Sequence, residues 1–382
     1  MIFRLASEPI ELQEWLFLGI FLLSFLLQMV FYLGIFLRFY LHKPGKERGQ
    51  SKEKALSVII CARNEKENLE RFLPRVLLQD YPEFEVVVVN DSSTDGSEEL
   101  LQEMSQQYGH LRFTSIPPSE KLARSKKLAL TIGIKSAKYE WVVLTDADCY
   151  PATEKWLYHM ASGLSDQKHI VLGYGAYEKR KGILNGLIRY ETVFTAMQYF
   201  SWAIRGKPYM GVGRNLAYKR ELFFESKGFA GHYHIPSGDD DLFVNENANA
   251  ANTEVIYDRE AHTISPPKST VHAWIRQKRR HISAGKLYRK GSRFRLAGEW
   301  SSRILLYISF LLLSTGGPFF YAALIPFAIW MVTRLLIFQL SASRLGEKQL
   351  FLPSLLFDPV MPFILGAIWL SILFESKYQT WS

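Results

Sequence analysis

Cysteine is scarce in this chain, which has only Cys61 and Cys149 among its 382 residues. Two cysteines cannot form a disulfide framework, and no Cys-x-x-Cys pair or Cys/His cluster indicates a zinc site. The chain also lacks the Gly-x-x-x-x-Gly-Lys-Ser/Thr loop of P-loop proteins, and no Gly-x-Gly-x-x-Gly follows its first strand-like run. These absences exclude a disulfide-rich secreted domain and two common phosphate-binding loops. Both cysteines lie beside apolar runs, so we expect buried, reduced thiols and a reducing compartment.

Charge and hydrophobic content place the chain among folded proteins. Hydrophobic residues make up 48% and charged residues 22%, and 46 basic against 37 acidic residues give a net charge of +9. This hydrophobic fraction excludes a disordered chain, and 382 residues suggest two or three structural units. The mean hydropathy of −0.03 averages apolar ends with a polar middle, so the two kinds of region are interpreted separately.

An uncharged run from Trp15 to Leu37 lies near the start of the sequence. A bilayer core needs about 20 apolar residues in a helix, whereas the apolar part of a signal peptide has only about 7–15. We therefore predict a retained membrane anchor in residues 1–41. Residues 42–54 form a basic linker, and Lys and Arg collect on the cytoplasmic side of membranes. The central part of the chain should then be cytoplasmic, at a bacterial-type inner or plasma membrane.

Two further apolar stretches, Ile304–Leu340 and Phe351–Phe374, lie near the other end. The first is too long for one span and is interrupted at Gly316, so it predicts two spans. The second contains three prolines and Asp358, and it is compatible with a span or with a re-entrant segment. We predict a membrane region over residues 303–382 with two or three spans.

Residues 55–270 alternate between strand patterns and helix patterns. Short apolar runs rich in β-branched residues predict buried strands at Leu56–Cys61, Phe84–Val89, Arg112–Ile116 and Trp141–Thr145. Apolar residues at helical spacing predict helices at Glu67–Leu78, Ser97–Tyr108 and Ser125–Ser136. The alternation predicts an α/β domain with a mostly parallel sheet covered on both faces. Ligands of such sheets bind beyond the carboxyl ends of the strands.

Polar side chains follow three of these strands, at the point where each strand ends. Asn64 and Glu65 follow the first, Asp91 follows the second, and Asp146 and Asp148 follow the fourth. Because the carboxyl ends of parallel strands meet at one edge, we expect these groups to lie together. Like charges repel, so a metal ion or a positively polarised ligand should accompany them. Carboxylate oxygen is the ligand that Mg²⁺ and Mn²⁺ prefer, which makes Asp146 and Asp148 candidate metal ligands.

Taken in order, these motifs resemble those of family 2 glycosyltransferases of the GT-A fold, in their membrane-integrated branch. The resemblance covers about residues 55–282. CARNEKENL and VVNDSSTDGS are similar to the family's first two strand ends, LTDAD to its metal-binding Asp-x-Asp motif, and SGDDDLF to the element with its catalytic base. Lys126 lies in an element similar to Gly-Lys-x-x-Ala-Leu, with Ser125 replacing the glycine. QKRRH resembles Gln-x-x-Arg-Trp, with His281 replacing the tryptophan.

The resemblance implies a role for each matching residue. Residues implied to hold the nucleotide are Ala62, Asn64, Glu65, Asp91, Lys126 and Asp146. Those implied at the diphosphate and acceptor are Gln277, Arg279, Arg280, Gly213 and Asn215. The metal would be Mg²⁺ or Mn²⁺ at Asp148, with Asp146 beside it. The triple acid at residues 239–241 leaves the base ambiguous: matching Gly-Asp-Asp to Thr-Glu-Asp favours Asp240, and Asp239 is the alternative.

Residues 271–302 form a basic segment interleaved with apolar residues. This pattern is typical of helices that lie on anionic lipid head groups, and it also occurs in nucleic-acid-binding patches. Since the next residues enter the predicted bilayer, we interpret the segment as interfacial helices and expect no nucleic-acid partner.

The function indicated is that of a membrane-bound, metal-dependent, inverting glycosyltransferase. It would move a sugar from a nucleotide sugar, UDP-linked in our interpretation, to a membrane lipid or lipid-linked glycan. A processive polysaccharide synthase of the same family is the alternative, although three or four spans are few for a secretion channel. Two remoter alternatives are a non-catalytic membrane scaffold and a lipid nucleotidyl or phosphoryl transferase. The sequence names neither the sugar nor the acceptor, because selectivity rests on pocket shape and a few hydrogen bonds.

Overall fold

A computed structural model describes residues 11–43, 54–118, 125–233, 235, 237–315 and 318–374. Most of the predicted basic linker, the predicted break at Gly316 and residues 375–382 lie outside these ranges. Within them, the chain folds into an α/β domain and a set of long apolar helices that flank it.

Two sheets organise the described part of the α/β domain. Their strands, in chain order, are β1 (Leu56–Ala62), β2 (Phe84–Asp91), β3 (Leu111–Ile116), β4 (Trp141–Asp146), β5 (Tyr150–Pro151), β6 (Ile170–Leu172), β7 (Gly175–Tyr177), β8 (Leu216–Lys219), β9 (Thr253–Val255) and β10 (Thr263–Ser265). The seven-stranded sheet has the order β3-β2-β1-β4-β8-β6-β9, and the small sheet has the order β5-β10-β7.

The predicted mostly parallel α/β sheet is confirmed. Strands β3, β2, β1 and β4 pair in parallel, and β8 runs antiparallel to both of its neighbours, β4 and β6. All seven residues of β1 are buried, as expected for a central strand covered by helices on both faces. The four strands predicted from apolar runs are present, with ends within two residues of those expected.

The helices, in chain order, are α1 (Leu12–Leu41), α2 (Lys66–Leu77), α3 (Ser97–Gln107), α4 (Lys126–Ser136), α5 (Trp156–Ser162), α6 (Ile183–Ile204), α7 (Arg220–Glu225), α8 (Asp241–Asn247), α9 (Val271–Ala284), α10 (Lys290–Leu313), α11 (Phe320–Arg344) and α12 (Phe351–Phe374). Helix α1 contains a π-helical segment at Val30–Phe36. The amphipathic spacing of α2 operates as expected, because Leu69, Phe72 and Val76 are buried against the sheet domain.

Four of the described helices, α1, α10, α11 and α12, are long and apolar enough to cross a membrane. Three of them lie after the α/β domain, so the C-terminal region has three candidate helices. The boundary expected at residue 302 falls inside α10, which runs without a break from Lys290 to Leu313. The basic interfacial segment is therefore α9 followed by the first part of a helix that continues into an apolar span.

Helices α1 and α11 are antiparallel neighbours whose ends identify the two sides of the bundle. At one end, the rings of Trp15 and Phe319 lie 4.6 Å apart. At the other end, the Arg344 guanidinium group donates to the Phe39 carbonyl (2.7 Å) and to the Tyr257 hydroxyl group (2.8 Å). Because Tyr257 belongs to the α/β domain, this domain sits at the second end of the bundle.

Candidate active site

The carboxyl ends of β1, β2 and β4 lie side by side. Cys61 of β1 pairs with Asp146 of β4, and Ala62 pairs with Asn90, the residue before Asp91. Ala62 and Asp91 are both buried. The register therefore brings three of the expected nucleotide-site residues, Ala62, Asp91 and Asp146, to one edge of the sheet.

The turns that follow β1 and β2 are bonded to each other. Asn64 has a φ of 52°, a left-handed conformation in which Asn is enriched among non-glycine residues. Its backbone N–H donates to Ser93 Oγ (2.9 Å), and its Oδ1 accepts from the Thr94 N–H (2.9 Å). Glu65 accepts a hydrogen bond from Asn68 Nδ2 (2.5 Å), and burial raises the pKa of its carboxyl group. Asn64 and Glu65 thus stand beside the loop that begins at Asp91.

Asp146, Asp148 and Cys149 form a compact group after β4. One possible ligand atom from each lies within 4.8 Å of the others. Cys149 Sγ lies 3.4 Å from Asp148 Oδ1 and 2.9 Å from Ser265 Oγ. Burial and the charge of Asp146 raise the pKa of Asp148. Burial also raises the pKa of Cys149 well above its ordinary value, and the two carboxyl groups supply the oxygen donors of the group.

Lys126, the first residue of α4, reaches the same edge of the sheet. Ser125 caps this helix, its Oγ accepting from the Leu128 N–H (3.3 Å). The Lys126 ammonium group lies 2.7 Å from Asp146 Oδ1 and 3.2 Å from Asp239 Oδ2. Burial would lower the pKa of Lys126, but the carboxylates outweigh it and hold the pKa well above its ordinary value. One ammonium group therefore links the Asp-x-Asp motif to the triple acid.

The acids at residues 239–241 have different surroundings. Asp239 contacts the ammonium group just described. Asp240 caps α8: its Oδ2 accepts from the Gly213 N–H (2.6 Å) and its Oδ1 from the Asp241 N–H (2.8 Å). Asp241 accepts from the Tyr288 hydroxyl group (2.7 Å). Burial and the charge of Asp239 raise the pKa of Asp240 to about 6, and burial and the charge of Asp240 raise the pKa of Asp241 to about 8.

The turn Gly213–Asn215 places its two expected site residues differently. Gly213 faces the triple acid, since a Cβ there would lie 3.2 Å from Asp240 Oδ2. Asn215 is 0% exposed. Its amide group accepts from the Trp156 indole N–H (3.0 Å) and donates to two backbone carbonyls. Asn215 has the surroundings of an interior residue that positions the turn, and its side chain has no exposed surface for a ligand.

Helix α9 presents its three expected site residues in different directions. Gln277 Nε2 lies 3.3 Å from the hydroxyl group of the last residue of β7. Arg279 Nε donates to Ser371 Oγ of α12 (3.1 Å). The charge of Arg280, in contrast, acts on the carboxylate of Asp146. Arg279 is thus directed towards the apolar helices, whereas Arg280 lies close enough to Asp146 for its charge to lower the pKa of that carboxyl group.

Arg214 is a cation of the site that the sequence reasoning missed. Burial would raise the pKa of Asp146, but the charges of Lys126 and Arg214 lower it. The Arg214 guanidinium group lies 4.2 Å from the centre of the Tyr177 ring. The Arg214 side chain passes over Gly175, where the Cβ atom of any other residue would collide with Arg214 Nε. Arg214 belongs to the motif GVGRN, but the direction of its side chain depends on Gly175, which lies on a strand distant in sequence.

Lys268 is the second cation that sequence reasoning missed. It is an exposed residue in a Pro-Pro-Lys-Ser segment after β10, a context that gives no sign of a site. Burial raises the pKa values of Asp148 and Glu65, and the charge of Lys268 opposes that rise at both carboxyl groups. Lys268 therefore stands near two residues of the expected donor site.

Comparisons with known proteins agree with this geometry. Residues 57–225 match the sequence profile of Glycosyl transferase family 2. A poly-beta-1,6-N-acetyl-D-glucosamine synthase of Staphylococcus epidermidis is 34% identical over 93 residues, which are 24% of this chain and 21% of the relative. The probable glycosyltransferase YdaM of Bacillus subtilis is 26% identical over 155 residues, which are 40% of this chain and 36% of the relative. The matched part of the chain thus spans well under half of the length of these relatives.

A solved structure extends the likeness to nearly the whole chain. The mannosyltransferase PcManGT from Pyrobaculum calidifontis, in complex with GDP-Man and Mn²⁺, is similar over 96% of this chain and 100% of that chain, with a TM-score of 0.64 and 20% sequence identity. At this identity the likeness concerns the fold. The profile match, the sheet and the ordered motifs agree, and residues 57–225 of this chain are thus similar to glycosyl transferase family 2.

Proposed function

We propose that this chain is a membrane-bound inverting glycosyltransferase that moves a sugar from a nucleotide sugar to a lipid or lipid-linked glycan. The observation that carries the proposal is the meeting of acidic segments that are far apart in the sequence. Asp91 follows β2, Asp146 and Asp148 follow β4, and Asp239 is joined to Asp146 through the ammonium group of Lys126. The candidate donor site and the candidate base therefore share one edge of a domain that matches the profile of glycosyl transferase family 2.

The donor set fits Mg²⁺ or Mn²⁺. Asp146 and Asp148 would hold the ion, because both carboxylates face one position and hard divalent cations prefer oxygen ligands. When bound, the ion would supply Lewis-acid neutralisation of the departing diphosphate. PcManGT, which has a similar fold, is in complex with Mn²⁺, and this is consistent with a divalent cation in our proposal.

The nucleotide would lie between the turns after β1 and β2. Asn64 and Glu65 line one side and Asp91 the other, and Ala62 at the end of β1 closes the floor. We propose a UDP-linked donor on the strength of the motif resemblance at these turns. The sugar is left open, because one similar structure holds GDP-Man and a relative is named for N-acetyl-D-glucosamine.

The chain's own cations would hold the diphosphate. Arg280 and Arg214 act on the Asp146 carboxylate, so both lie near the place where phosphate oxygens would meet the metal ligands. Charge-assisted hydrogen bonds from guanidinium groups to phosphate are about twice as strong as neutral ones. These contacts would stabilise negative charge as it develops on the leaving group.

The acceptor hydroxyl group must lose its proton as it attacks the sugar, and a carboxylate within reach would take it. Asp240 is our first candidate. Its oxygens are held in place by the backbone N–H groups of Gly213 and Asp241, and its pKa of about 6 lies close to the operating range of a general base. Asp239 is the alternative, because its carboxylate, which is bound to Lys126, lies at the same edge of the sheet.

The acceptor would come from the membrane. Candidate spanning helices lie on both sides of the α/β domain in the sequence, and the basic helix α9 connects the site to α12 through Arg279 and Ser371. A site held at the bilayer surface suits an acceptor that is anchored in lipid. By the positive-inside rule the domain would face the cytoplasm.

A processive polysaccharide synthase is the second candidate function. The similarity to a poly-beta-1,6-N-acetyl-D-glucosamine synthase, 34% over 93 residues, favours it. The small number of apolar helices, four in the described residues, favours addition of one or a few sugars, because a secreted polymer needs a channel. The length of the product formed on a lipid acceptor separates the two.

The test is a donor screen with the purified full chain in detergent. UDP-sugars and GDP-mannose are supplied separately with Mn²⁺, Mg²⁺ or EDTA and a bacterial lipid extract, and the released nucleotide is identified. We expect UDP release that depends on the metal and on the lipid extract. Release of UMP or pyrophosphate would indicate a nucleotidyl or phosphoryl transferase instead, and no turnover with any donor would contradict the proposal.

A matched control distinguishes the loss of a candidate metal ligand from the loss of any carboxylate. Asp148→Asn removes one candidate metal ligand and should abolish metal-dependent turnover. Asp166→Asn removes an exposed carboxylate whose ion pair with Lys54 is 3.8 Å long, and it should leave turnover unchanged.

A further inference from the structure

Helix α12 is apolar enough to span a membrane, yet its contacts run from the α/β domain at its start to the basic helix α9 at its far end. Just before it, Lys179 donates to the Gly346 carbonyl (3.0 Å) and Arg189 forms a buried ion pair with Glu347. At its far end, Ser371 accepts from Arg279 of α9 (3.1 Å). The start of the helix therefore lies against the α/β domain, and its far end lies against α9, the helix that follows this domain.

The middle of α12 is also tied to the domain. Asp358 is fully buried and accepts from the hydroxyl group of Tyr190, on α6 of the α/β domain (2.6 Å). The same carboxylate pairs with Arg303 of α10 and with Arg334 of α11, each at 3.2 Å. Since unpaired charges are costly inside a membrane, this network fixes which face of α12 points inward.

The length of α12 determines what these contacts imply for its orientation relative to the bilayer. Its 24 residues measure about 36 Å at 1.5 Å per residue. A helix of this length that crossed the bilayer would carry its far end about 30 Å from the surface where it began. Helices α1 and α11 do have such far ends, where Trp15 meets Phe319. The far end of α12 instead meets α9, which carries Arg280 of the candidate site.

The outward face of α12 is a continuous apolar stripe. Its residues, spaced three, four or seven apart, are between 44% and 85% exposed: Leu352, Leu356, Val360, Phe363, Leu370 and Phe374. The opposite face is buried and includes Ser354, Asp358 and Met361. An exposed stripe of this kind needs an apolar partner, and the neighbouring helices α10 and α11 also carry exposed apolar residues.

We propose that α12 lies in the plane of the bilayer, in the leaflet next to the α/β domain, with its stripe against lipid acyl chains. The basic residues of the adjoining helices, including Arg276, Lys286 and Arg293, suit the head groups of that leaflet. The chain then crosses the bilayer three times, through α1, α10 and α11. The end of α12 at Phe374 lies on the same side as the domain, and α12 fastens α9 to the leaflet from which a lipid acceptor would come.

Cysteine accessibility in cells expressing the full chain tests this topology. The native thiols, Cys61 and Cys149, are buried, and the unmodified chain measures their background. Thr315→Cys, in the turn after α10, reports the side away from the domain, and Lys348→Cys reports the domain side. A cysteine added after Ser382 should react with a membrane-impermeant maleimide under the same conditions as Lys348→Cys. Reaction under the conditions of Thr315→Cys would overturn the proposal, because α12 would then cross the bilayer.

Depth measurements give an independent test that does not depend on the chain terminus. Spin labels at Leu356→Cys, Phe363→Cys and Leu370→Cys are compared by oxygen and nickel-chelate collision rates, with the full chain in vesicles of phosphatidylcholine and phosphatidylglycerol. A spanning helix would separate the first and last labels by about 21 Å in depth. We expect less than about a third of that separation. Labels at Ile325→Cys and Leu336→Cys in α11, which are exposed apolar positions, calibrate a true span.

Neither test depends on glycosyl transfer. If the donor screen fails while both topology tests succeed, the placement of α12 stands and the enzymatic proposal falls. A depth gradient along α12 that matches the gradient along α11 would overturn the placement whatever the enzyme does.

Discussion

The ammonium group of Lys126 lies between two carboxylates from distant parts of the chain, 2.7 Å from Asp146 Oδ1 and 3.2 Å from Asp239 Oδ2. Burial would raise the pKa of Asp146, but Lys126, together with Arg214 and Arg280, holds that pKa below its ordinary value. Asp146 therefore remains ionised where a metal ion would need it. The same contact attaches the loop before α8, with its candidate base, to the sheet edge.

Replacing Lys126 should weaken both the fold and the reaction. Lys126→Ala leaves two partly buried carboxylates without their shared cation, which should lower the free energy of unfolding by about 1–3 kcal/mol and kcat/KM by at least about tenfold. Thermal unfolding in detergent and nucleotide release measure the two effects. Lys126→Arg keeps the charge and should recover most of the stability. Equal stability of Lys126→Ala and the unmodified protein would contradict the bridging role.

The candidate base can be identified by comparing two isosteric variants. Asp240→Asn keeps the backbone hydrogen bond to one amide oxygen but cannot accept the proton, so kcat should fall by about 10²–10⁴ while UDP binding changes by less than about threefold. Asp239→Asn should mainly reduce stability, through the lost contact with Lys126. The measurements are kcat and the calorimetric affinity for UDP. If Asp239→Asn loses turnover and Asp240→Asn keeps it, the base is Asp239.

The pH dependence of turnover should follow the ionisation of the same base. The pKa of Asp240 is about 6 because burial and Asp239 raise it, and only the ionised carboxylate accepts a proton. We expect kcat/KM to rise about tenfold per pH unit below pH 6 and to level off above it. A profile that is flat between pH 5 and 7 would exclude a base with this pKa.

Asp241 should make the protein less stable as pH rises. Burial and Asp240 raise its pKa from 3.8 to about 8, so the folded state holds this proton more tightly than the unfolded state does. The stabilisation is complete below about pH 4 and is lost as pH rises through about 8, with a slope of at most about 1.4 kcal/mol per pH unit. Asp241→Asn should remove this slope and be more stable than the unmodified protein at pH 8. If the unfolding midpoints of the unmodified protein and of Asp241→Asn changed in parallel between pH 5 and 8, the pKa of Asp241 would not be raised by folding.

The two adjacent arginines of α9 should have different effects on the donor. Arg280→Ala removes a charge that acts on the Asp146 carboxylate, and donor KM should rise by about tenfold or more. Arg279→Ala removes a hydrogen bond to Ser371 of α12, and donor KM should change by less than about threefold while thermal stability falls. Steady-state kinetics with varied donor distinguish them. The reverse ranking of the two KM values would reassign the phosphate contact to Arg279.

The central part of the fold was predictable because its information is local. The run Leu56–Ala62 is apolar throughout, which is the mark of a strand buried on both faces, and the spacing of Leu69, Phe72 and Val76 repeats with the helical period. Short strands such as Tyr150–Pro151 and Ile170–Leu172 escaped prediction, because two or three residues carry no period. Their position depends on the partner strand that they meet.

The meeting of the acidic residues at one edge was predictable, whereas the directions of the other candidate side chains were not. Strand-end geometry predicted that Asp91, Asp146 and Asp148 would share an edge, since parallel neighbours end at the same level. The same motifs predicted that Asn215 and Arg279 would contact the diphosphate or the acceptor. The amide group of Asn215 is instead hydrogen-bonded in the interior, and the side chain of Arg279 faces α12. A motif names residue types at intervals, whereas the direction of a side chain depends on what packs against it.

Sequence alone was sufficient for the alternation of strands and helices, the family motifs and the presence of apolar helices, because each depends on residues that are neighbours along the chain. The long-range register was necessary for the rest. It brings Lys126 between Asp146 and Asp239, and it places Arg214 over Gly175. It also packs α12 against Tyr190 of the α/β domain and, through Ser371, against α9. These contacts join residues separated by up to 168 positions, and hydrophobicity along the chain carries no information about which distant partners a folded core brings together.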